Sequence, residues 1–166
     1  MPWRRQRSRL ARLLKPVSLA CGEVLFDAKP IRHVYFQSAD LFAKAGLPTD
    51  RAEVAQLMTT WDDYYALGEK FVKAVPDTAW YDASGSIAQA MLNQVEFPFE
   101  KEDNTVDVEN DELKAVYETV TSHTPKLSTK AAQWGDDWTA GFTNDGFATI
   151  PCPGWMRSNI KSNTGE

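Results

Sequence analysis

The sequence has few of the features that mark membrane, metal-binding or phosphate-binding proteins. Nothing in its 166 residues approaches the roughly 20 consecutive apolar residues that a membrane-spanning helix needs. It has no glycine-rich loop of the kind that cradles phosphates. The two cysteines, Cys21 and Cys152, lie far apart without a histidine at metal-ligand spacing, which argues against a zinc site. They leave open either a disulfide or two unpaired thiols.

The sequence also lacks an arrangement of side chains suited to catalysis. His33 and His123 lie far apart, and neither has a nucleophile pattern beside it. The aspartate pairs at 62–63 and 136–137 supply carboxylates, and glycoside hydrolysis uses two carboxylates across the scissile bond. Adjacent residues on a helix point about 100° apart, however, so neither pair forms such a site alone. We predict a protein that is not an enzyme and has no cofactor, with a glycoside-active enzyme fragment as the alternative.

Charge separates a basic arm from an acidic body. Residues 1–32 carry a net charge of +6, so the remaining residues carry −11 of the total of −5. The arm, residues 1–29, has three interpretations: a segment that is disordered or foreign to the fold, a degenerate signal with Cys21 at a lipoprotein-type cleavage site, or a tail for nucleic acid or a membrane surface. Lys15 and Pro16 interrupt the apolar stretch that a signal needs. An acidic body repels nucleic acid, so we predict no such partner and keep a basic-arm nucleic-acid-binding protein as a second alternative.

Helix signals dominate residues 38–127. Apolar spacing and capping residues predict helices over residues 38–46, around 50–58, over 61–75 with Thr60 as cap, over 87–94, and from residue 110 or 111 onwards. Residues 78–81 are predicted to form a short buried strand, and residues 82–86 a loop. The polar segment 96–109 is predicted to be a surface excursion or a short strand.

The last part of the chain is predicted to contain one long helix, a strand and a final helix. The long helix begins at Leu127 and Ser128 and carries Trp134, Trp138 and Phe142 at four-residue spacing. A turn at 144–146 and a strand at 147–150 follow, and the final helix begins near Trp155. Helices therefore alternate with single short strands, which indicates an α/β fold with helical crossovers rather than a bundle or a β-sandwich.

Four segments in this order resemble one protein family. They are DLFAKAGLP at residues 40–48, TWDDY at 60–64, WTAGFTNDGFAT at 138–149 and PCPGWM at 151–156. Together they are similar to the family 1 extracellular solute-binding proteins, the sugar-binding components of ABC importers, to which the maltose-binding protein belongs. The resemblance covers about residues 38–166.

The resemblance implies a fold, a function and partners. It implies one α/β lobe, mostly the second, of a helix-rich two-lobed fold of the periplasmic-binding-protein type, with residues 30–166 forming an incomplete lobe. It implies a carbohydrate-binding component of an ABC transport system that holds a mono- or oligosaccharide in an interlobe cleft and delivers it to the permease subunits. An extracellular, cell-surface or periplasmic location is implied as well, and membrane association only through the permease or a lipid anchor at Cys21.

Five residues are the candidate ligand contacts. Sugar sites combine aromatic platforms with planar polar side chains, and Trp155 follows a predicted strand at the entry to a helix. Asp82, Ser84 and Ser86 follow another strand, where open α/β folds bind ligands, although helix capping explains the two serines equally well. Trp80, in that strand, points either into the core or toward the cleft. Trp134 and Trp138 are predicted to be core residues.

Overall fold

A computed structural model describes residues 23–24, 34–36, 39–151, 153 and 155–164. Within them, every helix is too short or too polar to span a lipid bilayer. The predictions for most of the basic arm, and those for Cys21 and Cys152, concern residues outside this part of the chain. The strands are β1 (Glu23–Val24), β2 (Val34–Phe36), β3 (Ala79–Tyr81) and β4 (Phe147–Pro151). The helices are α1 (Ala39–Lys44), α2 (Arg51–Leu57), α3 (Trp61–Ala74), α4 (Ser84–Leu92), α5 (Asp111–Leu127), α6 (Asp136–Ala140) and α7 (Met156–Thr164).

The strands form one mixed sheet in the order β1-β2-β4-β3. Strand β4 pairs with β3 in parallel, with Tyr81 opposite Thr149, and with β2 in antiparallel register. Helices α4, α5 and α6 lie in the chain between β3 and β4 and so supply the crossover that a parallel pair requires. The α/β class with helical crossovers is therefore confirmed, while the sequence did not predict β1 and β2.

Capping residues begin the early helices where the sequence predicts them. The Asp50 carboxylate accepts hydrogen bonds from the backbone N–H groups of Ala52 and Glu53 at the start of α2. Thr60 and Asp63 form a reciprocal capping box at the start of α3. At the end of α1, Gly46 has a φ of 68°, the left-handed conformation that favours glycine. Asn110 caps α5 through a 2.7 Å hydrogen bond from the Leu113 N–H.

Two hydrophobic cores hold the sheet between helices. The larger core contains the apolar faces of α1 to α5 and is centred on Trp80, whose ring packs against Phe42, Phe71 and Tyr64. The smaller core lies around Trp138, Phe142 and Phe147 and includes residues of α7. All five residues of β4 are buried, and they contribute to both cores.

Two predictions of local structure are wrong. The predicted long helix from Ser128 is an irregular segment, residues 128–135, followed by the five-residue α6. Lys130 and Trp134 adopt positive φ values of 62° and 71°, which a helix does not allow. Residues 84–86 are also not a loop, because α4 begins at Ser84 rather than at residue 87. The segment 96–109 is confirmed as a surface excursion with a single bridge between Glu100 and Val106.

The packing of α3 on β3 depends on the absence of a side chain at Gly68. A β-carbon there would lie 2.3 Å from Cδ1 of the buried Trp80 ring, so Gly68→Ala forces the indole or the helix to move. Overpacking of this kind costs about 1–3 kcal/mol, and we expect urea denaturation to show that loss in the free energy of unfolding.

Gly85→Ala is the matched control. Gly85 is also helical, but its β-carbon would meet nothing closer than 3.8 Å, so this variant should be as stable as the wild type or slightly more so. Equal stability of the two variants would contradict the packing assigned to Trp80.

Candidate functional site

Three chain segments meet at the carboxyl edge of β3 and β4. Because these strands are parallel, Asp82 after β3 and Trp155 after β4 leave the sheet at the same edge. The irregular segment 128–135 joins them there, since Ser128 bridges to Tyr81 and the Thr129 N–H donates to the carbonyls of Tyr81 and Asp82. In open α/β folds this edge is where ligands bind.

Asp82 is a fully buried carboxylate at the centre of this edge. Its Oδ2 accepts a 2.8 Å hydrogen bond from the indole Nε1 of Trp138, and its Oδ1 accepts one from the Ser86 hydroxyl. Burial raises the pKa of Asp82 from 3.8 to about 6, and the bonds from Ser86 and Trp138 oppose part of that rise. The carboxylate therefore ties α4 and α6 to the end of β3.

The backbone of Asp82 is bonded as extensively as its side chain. Its carbonyl oxygen accepts hydrogen bonds from the hydroxyl groups of Ser128 and Thr129 as well as from the Thr129 N–H. The Ser128 hydroxyl in turn accepts from the Lys130 N–H at 3.1 Å. These bonds hold the irregular segment 128–135 against β3, although it belongs to neither a helix nor a strand.

A continuous series of aromatic rings runs from the smaller core to the surface. Phe147 contacts Phe142, and Phe142 contacts Trp138, both edge to face. The next ring outward is Trp134, whose centroid lies 5.0 Å from that of Trp138. Trp155 stacks on Trp134 with centroids 6.0 Å apart and planes 13° apart. Trp134 and Trp155 are 56% and 61% exposed, so the series ends in an exposed pair of indoles.

The structure places the five candidate residues in different surroundings. Trp155 is exposed at the carboxyl edge, and Ser84 is half-buried at the first position of α4. Asp82 and Ser86 are buried and bonded to each other. Trp80 is 0% exposed at the centre of the larger core, so of its two predicted orientations the structure shows the inward one. Direct ligand contact by the five residues stays a prediction, and of the five Trp155 is the most exposed.

Trp134 lies outside the core in which the sequence placed it. Its four-residue spacing from Trp138 resembled one face of a helix, yet the helix begins only at Asp136. Gly135, a poor residue for a helix interior, and the acidic pair 136–137, favourable in a first turn, were the available signals of that later start. Trp138 is buried as predicted.

Comparison with solved structures finds a protein that is similar to this chain. A crystal structure described as an extracellular solute-binding protein of family 1 superposes with a TM-score of 0.75 at 38% sequence identity. The match covers 87% of this chain and 35% of the other. The predicted family resemblance is therefore confirmed.

The match to family 1 also confirms the fold class, since this chain corresponds to part of a solute-binding protein fold. The chain spans about a third of the length of that relative. Neither a protein-family model nor a curated protein matches the sequence.

We expect the stability of the chain to depend on pH through Asp82. Between pH 4 and 6 the unfolded chain releases the Asp82 proton while the folded chain retains it, because the folded-state pKa is about 6 against 3.8. The contribution of Asp82 to the free energy of unfolding therefore falls as pH rises, by on the order of 2–3 kcal/mol across that window.

The Asp82→Asn variant isolates this effect. The asparagine keeps an oxygen acceptor for Trp138 but does not titrate, so the stability of the wild type relative to the variant should decline from pH 4 to pH 7. Urea denaturation of both proteins across this range measures the difference, in which the other carboxylates cancel. A constant difference would show that the pKa of Asp82 is not raised by folding.

Proposed function

We propose that this chain is part of the carbohydrate-binding component of an ABC transport system. A relative of known structure is an extracellular solute-binding protein, and that description refers to binding of a solute rather than to its chemical conversion. The proposal includes a non-enzymatic role, delivery of the solute to permease subunits, and an extracellular or periplasmic location. It also favours a saccharide over other solutes, for the reason given next.

The exposed ring of Trp155 is the observation that carries the choice of a saccharide. Pyranose rings present apolar C–H faces that pack on indoles, while their hydroxyl groups need polar partners. Trp155 offers such a face at the carboxyl edge. Ser84 follows β3 at the same edge, and its half-buried hydroxyl is the candidate polar partner. Asp82 and Ser86 contribute indirectly, since they fix the position of Trp138 and α4 beneath the exposed indoles.

The carboxylate pairs do not favour the glycosidase alternative. The Asp63 carboxylate accepts hydrogen bonds from the hydroxyl groups of Thr59 and Thr60 and the Thr60 N–H, so it serves as a helix cap. Asp136 and Asp137 are adjacent residues in the first turn of α6. In each pair the carboxylates lie side by side on one helix rather than across a cleft.

Saccharide binding can be observed through the indole N–H signals of the protein. We expect millimolar glucose, maltose, cellobiose or xylobiose to shift the ¹H–¹⁵N signal of Trp155 and to leave that of the buried Trp80 unchanged. Single tryptophan-to-phenylalanine variants assign the signals. Trp155→Ala should lower the affinity for the saccharide about tenfold, because one stacking face is lost.

Tyr117→Ala provides the control, because Tyr117 is an equally exposed aromatic residue on α5. It should bind each saccharide as the wild type does. If no saccharide in the panel shifts an indole signal, or if Trp155→Ala binds like the wild type, the proposed function is wrong.

A further inference from the structure

Trp134 is held at the surface by an unfavourable backbone conformation. A φ of 71° is rare for a bulky side chain and costs on the order of 1–3 kcal/mol. That conformation directs the indole onto Trp155 at the surface, where it stays 56% exposed. Strain at an exposed aromatic residue is typical of sites where position matters more than stability.

Trp134 and Trp155 together form a surface longer than a single indole. Aromatic faces in van der Waals contact are about 3.5 Å apart. Since the two centroids are 6.0 Å apart and the planes nearly parallel, the rings are displaced sideways by roughly 5 Å. The two rings therefore overlap only in part, and the exposed part of Trp134 lies beside the exposed Trp155 ring.

The Trp134 ring is also supported from behind. Trp138 packs against it from the core side and is itself held by the hydrogen bond from its Nε1 to Asp82. A ring held by neighbours on its core side loses little conformational entropy when a ligand packs on its exposed part. The support distinguishes Trp134 from a hydrophobic residue that happens to be exposed.

Polar groups flank the indole pair in the chain. Gln133 is half-buried, with its Oε1 near the backbone of Gly85 at the start of α4, and the carboxylates of Asp136 and Asp137 are exposed just beyond Trp134. Amide and carboxylate groups bind sugar hydroxyls well, whereas the cores of protein interfaces are depleted of charged residues. The neighbourhood therefore favours a saccharide over a protein partner.

We propose that Trp134 is a second ligand-contacting residue and that the site takes a saccharide of at least two sugar rings, one on Trp155 and the next on Trp134. This inference rests on the proposed function and adds the size of the ligand to it. It predicts that affinity rises with chain length and that Trp134 is responsible for the rise.

Titrations with glucose, cellobiose, cellotriose, maltose and maltotriose test the inference on the full chain, with the indole N–H signals as readout. The wild type should bind the di- or trisaccharide of one series about three- to tenfold more tightly than glucose. Trp134→Ala should remove that gain and leave glucose affinity unchanged. Trp155→Ala should weaken every saccharide, including glucose.

A second variant separates the loss of the ring from a loss of the fold. Trp134→Asn removes the ring with a residue that tolerates positive φ, and it should reproduce the effect of Trp134→Ala while keeping wild-type unfolding behaviour. If Trp155→Ala weakens binding but neither Trp134 variant changes the dependence on chain length, the inference is wrong and the proposed function stands. If no saccharide binds the wild type, both fail. If the Trp134 variants sediment differently from the wild type but bind every saccharide as it does, the indole pair is an association surface and the inference is wrong.

Discussion

The hydrogen bonds of Asp82 determine how the carboxyl edge of the sheet is built. Its side chain bonds to Ser86 in α4 and to Trp138 in α6, and its carbonyl oxygen bonds to Ser128 and Thr129. One residue thereby joins the end of β3 to the neighbouring α4, and to an irregular segment and α6 that lie about 46 and 56 residues later. A buried carboxylate is costly unless its oxygens are bonded, so these partners are as necessary to Asp82 as Asp82 is to them.

The sequence allowed the fold class and most helices to be predicted because the signals there are local. Thr60 with Asp63 and Asn110 with the Leu113 N–H are caps whose partners lie three residues away. The parallel pairing of β3 with β4 follows from the helical connection between them. Strands β1 and β2 were not predicted, because each is defined mainly by its neighbours in the sheet. The equally short β3 was predicted because it follows directly after a predicted helix.

Long-range interactions explain the failure at residues 128–135. The sequence from residue 128 onwards has good helix formers and aromatic residues at four-residue spacing, yet Ser128 and Thr129 bond to Asp82 some 46 residues earlier. Those bonds and the positive φ of Lys130 are incompatible with a helix that begins at Ser128. The position of Asp82 at the carboxyl edge could be predicted, because it directly follows a predicted strand. Its hydrogen bonds to Ser128, Thr129 and Trp138 could not, because those partners are distant in sequence.

The exposure of Trp134 follows from the burial of Trp138. If a single helix ran through residues 128–142, both indoles would lie on one face and would compete for the small core beside Phe142 and Phe147. That core holds one indole, and Trp138 is the one whose Nε1 reaches Asp82. Trp134 then packs on the outer side of Trp138 and extends the series of rings to Trp155. The same carboxylate that positions Trp138 thus leaves two adjacent indoles facing solvent, at the sheet edge where α/β proteins bind their ligands.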